Sequence, residues 1–157
     1  MSEILQALYQ DDAAAARELA QGVKLDVFEA AALGEMVRLR ELLDEDPSSA
    51  NAFGADGFHP LGLASFFGHA DAARVLLEHG ADVDALSRNE HIQTAAIHAA
   101  AASGADEETR YELIVLVLEH GADPNLPQGG GFRAIDAARQ NGDERIERLL
   151  KDRGAED

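Results

Sequence analysis

Residues Gly57 to Ala85 read G-F-H-P-L-G-L-A-S-F-F-G-H-A-D-A-A-R-V-L-L-E-H-G-A-D-V-D-A. Asp56-Gly57 is a turn signal, and Pro60 opens a short apolar segment that Gly68 ends. A second segment, Ala70 to Glu78, places Ala73, Leu76 and Leu77 at helical spacing and closes on His79-Gly80-Ala81-Asp82. The closing signal returns as His120-Gly121-Ala122-Asp123, with Gly80 and Gly121 standing 41 residues apart, and more faintly as Arg153-Gly154-Ala155. Self-similarity at this period points to a stack of supersecondary units rather than to one irregular core.

Working outward, the same grammar covers the chain. Ile4, Leu5, Leu8 and Tyr9 form one helical stripe, and Asp11-Asp12 can cap a second helix over Ala13 to Gln21 that Gly22 stops. Asp26 begins Val27-Phe28-Glu29-Ala30-Ala31-Ala32-Leu33-Gly34, followed by Met36, Val37, Leu39, Leu42 and Leu43. Asp46-Pro47 ends that unit. Ile97 to Gly104 opens another, and its second segment is long: Gly104 to Gly121 spans 17 residues where Gly68 to Gly80 spans 12. The excess falls near Ala105 to Thr109 and predicts an extra helical turn or an enlarged loop. Gly129-Gly130-Gly131 precedes Phe132 to Gly142 and a highly charged final segment, Asp143 to Lys151.

These units resemble the ankyrin repeat, about 33 residues built as a β-turn and two helices. The resemblance is carried by Asp56-Gly57, by Pro60-Leu61, by the Gly68 and Gly80 turns, and by Gly80-Ala81-Asp82. It implies an all-α solenoid with short β-hairpin fingers and about five helix pairs. The expected divisions are an N-terminal cap at 1–25, repeats at 26–52, 53–86 and 87–126, and a C-terminal cap at 127–157. The Gly22 to Val27 connection is too short for a finger, so the first is expected near Asn51 to Phe58. Family members usually carry Thr-Pro-Leu-His at the start of the first helix. This chain carries His59-Pro60-Leu61-Gly62 instead, which should disturb the usual bonding between turns and cost about 0.5–1 kcal/mol at Gly62 relative to alanine.

Composition narrows the function. The 157 residues carry a formal charge of −17, with Lys24 and Lys151 the only lysines, which opposes contact with nucleic-acid phosphates and favours a basic partner. There is no cysteine, and no uncharged run approaches the roughly 18 residues of a membrane span. The N-terminus lacks the basic residues of a secretory signal, so a soluble, cytoplasmic protein without membrane association is expected. The six histidines show no paired metal spacing, and the acidic clusters Asp44-Glu45-Asp46 and Asp106-Glu107-Glu108 read as solvated helix ends. Neither a catalytic group nor a cofactor or metal is expected.

Phenylalanine supplies the remaining signal. Phe53, Phe58, Phe66 and Phe67 lie within fifteen residues, while the chain has six phenylalanines, two tyrosines and no tryptophan. By the resemblance, Phe58 falls in a finger, and Phe66 and Phe67 fall at the two variable positions before the turn glycine. Such positions line the concave groove through which family members bind proteins. Phe53 and Phe132 are placed with them, as are the corresponding inner-helix residues Leu33, Ala102, Ser103, Gln140 and Asn141. The groove is therefore expected to run from apolar to polar along the stack. The functional expectation is a monomeric, non-catalytic module gripping a protein partner there. An acidic inhibitor occluding a basic enzyme is the alternative, and a metal-dependent enzyme at the Asp106 loop or at His59 and His91 is the remote one.

Overall fold

The computed structural model describes residues 2–157 and contains ten α-helices among them. They are α1 (Glu3–Tyr9), α2 (Ala13–Leu19), α3 (Val27–Leu33), α4 (Met36–Glu45), α5 (Pro60–Phe66), α6 (Ala70–Glu78), α7 (Ala96–Ala102), α8 (Glu107–Glu119), α9 (Ala134–Asn141) and α10 (Glu144–Asp152). A 3₁₀ turn, Pro47–Asn51, follows α4. Each odd-numbered helix packs on the even one after it. The odd helices also pack on one another in order, α1 on α3, α3 on α5, α5 on α7 and α7 on α9. The even helices from α4 onward do the same. The result is a two-layer solenoid in which each pair touches its neighbours.

Side-chain size explains the two layers. Ala30, Ala31, Ala64, Ala100 and Ala101 on the odd helices are essentially fully buried, and their small side chains let those helices approach closely. Leu39, Leu43, Leu76, Leu113, Ile114, Ile146 and Leu150 on the even helices fill the space between layers. Capping is read from the sequence as well. The α3 N-terminus is a reciprocal capping box, with Glu29 N–H donating to Asp26 Oδ1 at 2.8 Å and Asp26 N–H donating to Glu29 Oε2 at 2.9 Å.

The helix-ending signal has one geometry at three places. Ala81 N–H donates to the Leu76 carbonyl, Ala122 N–H to Val117 and Ala155 N–H to Leu150, at 3.0, 3.0 and 2.9 Å. The faint C-terminal copy is thus structurally equivalent to the clear ones. The excess near Ala105 is an added N-terminal turn. Helix α8 is 13 residues long against nine for α6, and Asp106 caps it through Thr109 N–H at 2.8 Å.

The fingers differ from the expectation. No β-strand forms among the described residues, so the hairpins are turns rather than ladders. Gly54 N–H donates to the Phe58 carbonyl and Gly57 N–H to Gly54; Gln128 N–H donates to Phe132 and Gly131 N–H to Gln128. These closures bring only one cross-strand bond each, too few for a strand. The middle finger is longer, closed by Ser87 N–H to the Thr94 carbonyl at 2.9 Å and reinforced by Ser87 Oγ to the Ile92 carbonyl at 2.7 Å. Adjacent fingers are tied by Arg88 N–H to the Gly57 carbonyl and Gly129 N–H to the Gln93 carbonyl. Gly57 has a φ of +85°, and a Cβ there would lie 2.5 Å from the Arg88 carbonyl carbon, so only glycine allows the two fingers this close. No helix among the described residues is long and apolar enough to cross a membrane.

Candidate functional site

The finger and helix α5 bring the phenylalanines together with a residue that sequence reading placed only in a helical stripe. Tyr9, at the end of α1, stacks on Phe67 with ring centroids 6.0 Å apart at 26°, and meets Phe58 edge-on at 6.0 Å. Phe66 meets Phe67 at 5.1 Å and 84°. Tyr9 Oη donates to Asp56 Oδ2 at 2.8 Å, and Phe58 N–H donates to Asp56 Oδ1 at 3.1 Å, so one carboxylate fixes both the tyrosine and the finger. Burial and the Asp56 carboxylate push the Tyr9 hydroxyl far above its ordinary value, so it stays a neutral donor.

The four rings differ in exposure. Phe66 is 43% exposed and Tyr9 38%. Phe58 and Phe67 are half-buried and pack against the core. Phe66 and Tyr9 therefore present the exposed ring surface, with Phe67 between them and Phe58 against Tyr9. This arrangement joins α1 to residues about fifty positions later, a separation across which periodicity carries no signal.

Phe53 does not join them. Its ring lies edge-on to His59 at 5.8 Å, and the Arg88 guanidinium carbon sits 3.9 Å over it. It lines a separate open cleft with His59, Leu61, Leu86 and Arg88, about 510 Å³ in volume. Ser103 departs further: it is 5% exposed, and its hydroxyl accepts from Ala105 N–H at 3.2 Å. The added turn of α8 begins just beyond and turns Ser103 inward, so it presents no groove surface. Leu33 is half-buried against the core, Ala102 and Gln140 are exposed, and Phe132 is half-buried in the last finger. Asn141 is exposed but donates to the Ala101 carbonyl at 3.1 Å, so its amide is partly committed to the scaffold.

The scaffold histidines explain the altered Thr-Pro-Leu-His segment. In α7, His98 Nδ1 accepts from Ala95 N–H at 3.0 Å and Nε2 reaches the Leu126 carbonyl at 2.6 Å. In α5 the ring comes from the opposite end of the first turn. His59 Nδ1 accepts from Gly62 N–H at 3.0 Å and Nε2 reaches the Ala85 carbonyl at 2.9 Å. The expected disturbance is thereby corrected: the imidazole keeps both bonds by moving to the Thr position, and glycine opposite makes room for it. Accepting at Nδ1 leaves the proton on Nε2 in both rings. Burial pushes both imidazoles, and that of His69, below their ordinary values. Among the described residues no three His, Asp or Glu side chains converge as a ligand set for a metal ion.

Comparison with known proteins gives the class. A family model described as the ankyrin repeat matches residues 56–88. The chain is 32% identical over 111 residues to mouse ankyrin repeat and SAM domain-containing protein 6, a match covering 71% of this chain and 12% of the relative. It is 37% identical over 127 residues to mouse ankyrin repeat and SOCS box protein 16, covering 81% and 24% respectively. Ankyrin repeat, SAM and basic leucine zipper domain-containing protein 1 of Saimiri boliviensis boliviensis is 34% identical over 93 residues, covering 59% and 19%. The chain thus spans a quarter or less of the length of these relatives. It belongs to the ankyrin repeat family, whose repeats are generally protein–protein interaction modules and generally non-catalytic.

Proposed function

We propose that this protein is a non-catalytic, monomeric binding module that grips a protein partner at the patch formed by Phe66, Phe58, Phe67 and Tyr9. The observation carrying this reading is the exposed Phe66 ring, packed on Phe67, which is itself stacked on the part-exposed Tyr9. Fully burying a phenylalanine is worth about 1.5–3 kcal/mol, so an exposed ring on a rigid support is a strong anchor for a partner. The residues named from the fingers and inner helices beyond it, Ala102, Phe132, Gln140 and Asn141, extend the surface toward a polar end.

Affinity capture from a cell extract, comparing wild type with Phe66→Ala, tests this. Phe66 is exposed, so the variant keeps the far-ultraviolet circular dichroism of the wild type. A partner retained by wild type and lost by Phe66→Ala supports the reading, and a partner retained equally by both overturns it.

The charge of −17 favours a second reading, an acidic inhibitor that covers a basic enzyme. The two separate by salt. Binding carried by long-range charge weakens steeply between low and physiological ionic strength, whereas binding carried by the rings changes little.

A further inference from the structure

We infer that the aromatic patch takes an arginine side chain from its partner, the guanidinium lying on the exposed Tyr9 ring with Asp56, to which the Tyr9 hydroxyl donates, as the adjacent counter-charge. This rests on the binding function proposed above and names the chemistry that the site selects. Outside the patch, two aromatic rings are already covered by arginines of the same chain. Arg88 lies 3.9 Å over Phe53, and Arg145 lies 3.7 Å over Tyr111. The patch itself has no such cover, and its two contributing segments contain none to offer. Residues 1–16, which supply Tyr9, hold no lysine or arginine. Residues 41–73, which supply Asp56, Phe58, Phe66 and Phe67, hold none either.

Those segments are instead rich in acid. The first carries Glu3, Asp11 and Asp12, and the second carries Glu41, Asp44, Glu45, Asp46, Asp56 and Asp71. More than half of the net charge therefore arises in the two stretches that build the patch. Asp56 lies at its edge, held by Tyr9 Oη and Phe58 N–H, and forms no ion pair with any described residue. A guanidinium suits both features, because it stacks on a ring face and pairs with a carboxylate at its rim. A purely apolar side chain would bury the ring and leave the acid field unanswered. The occupant is accordingly a peptide segment with an arginine flanked by apolar residues.

Three capped tripeptides serve as probes, with sequences Leu-Arg-Leu, Leu-citrulline-Leu and Leu-norleucine-Leu. Citrulline keeps the planar end of arginine and removes its charge. Each is titrated into the full-length protein while the aromatic proton–carbon resonances of Phe66, Phe67 and Tyr9 are followed by nuclear magnetic resonance. The expected result is saturable movement of the Tyr9 and Phe67 signals with the arginine peptide, and binding about fivefold weaker with citrulline. Asp56→Asn, whose one oxygen still accepts from Phe58 N–H and whose amide can donate to Tyr9 Oη, should weaken the arginine peptide about threefold or more and leave the citrulline peptide unchanged. Equal affinity for arginine and citrulline overturns the inference, as does movement confined to residues around Asp44 to Asp46. If the norleucine peptide moves the rings at least as well as arginine, the groove stands and the arginine assignment falls. If none of the three moves them, both fall.

Discussion

The imidazole of His59 occupies the space beside Gly62: a Cβ on Gly62 would lie 3.0 Å from His59 Cε1 and 3.3 Å from Nδ1. Two residues that separately look unfavourable in the first turn of a helix are a matched pair. Gly62→Ala should therefore lose stability, by about 1 kcal/mol, although helix propensity alone favours alanine by about that amount. In a His59→Thr background, where the ring is gone, the same change should gain about 0.5–1 kcal/mol. Urea unfolding of the four proteins measures the coupling. Additive effects would show that ring and glycine are independent.

Acid should weaken the fold through the same histidines. His59 and His98 each accept an N–H at Nδ1, and protonation replaces that acceptor with a donor. Burial lowers both below the ordinary 6.5. The unfolded chain then binds more protons between the depressed value and 6.5, so their stabilising effect is complete above 6.5 and is lost as pH falls below it. His98→Gln should cost about 1–2 kcal/mol at pH 7.5 and clearly less at pH 5.5. An unchanged difference between the two pH values would mean that His98 is not held neutral.

A carboxylate stands where an amide would do better at Asp84. Asn51 Nδ2 donates to the Gly80 carbonyl at 2.9 Å while its Oδ1 accepts from Asp82 N–H at 2.7 Å. Asn125 does the same with Gly154 and Glu156, at 2.9 and 2.8 Å. Asp84 occupies the equivalent place and accepts from Asp123 N–H at 3.0 Å, but it has no hydrogen for the Gly121 carbonyl. Asp84→Asn should stabilise the protein by about 0.5–1.5 kcal/mol, read as a higher urea midpoint with an unchanged slope.

The added turn of α8 is secured by charge. Arg110 Nη2 and Nε reach Asp143 Oδ1 and Oδ2 at 3.0 and 3.2 Å, and Arg110 Nη1 donates to the Ala105 carbonyl. The side chains are 16% and 8% exposed. Arg110→Met strands the carboxylate and should cost about 3 kcal/mol, whereas Arg110→Met with Asp143→Leu should cost much less. Equal costs would place the loss in packing rather than in the unpaired charge.

Asp11 carries the one positive φ outside glycine among the described residues, 61°. Asp11→Gly should therefore raise stability by about 0.5–1 kcal/mol, checked by thermal unfolding.

The solenoid was legible because its signals are local. Turn glycines, alanine-rich first helices and Gly-Ala-Asp closures each act within a few residues. The candidate site was less legible because it is assembled across the stack. Phe66 was readable from its place in the repeat, but Tyr9 comes from another helix pair to stack on Phe67 and bond Asp56. Ser103 turned inward because the next helix starts early, a displacement that position within a repeat does not register. Phe53 went to another cleft because Arg88 of the next finger covers it. The fingers lost their strands because each closes on a single cross-bond, too few for a ladder although the turn chemistry was correct.

The asparagine links have a consequence for chain length. Asn51 grips Gly80 and Asp82 with the same two atoms by which Asn125 grips Gly154 and Glu156. The junctions are interchangeable, so a helix pair spliced in after Asn125, carrying its own Gly-Ala-Asp loop, would meet a socket already shaped for it. Lengthening such a protein is then a local edit, and recombination can redraw its surface at the far end while leaving the Tyr9 and Phe66 end as it is.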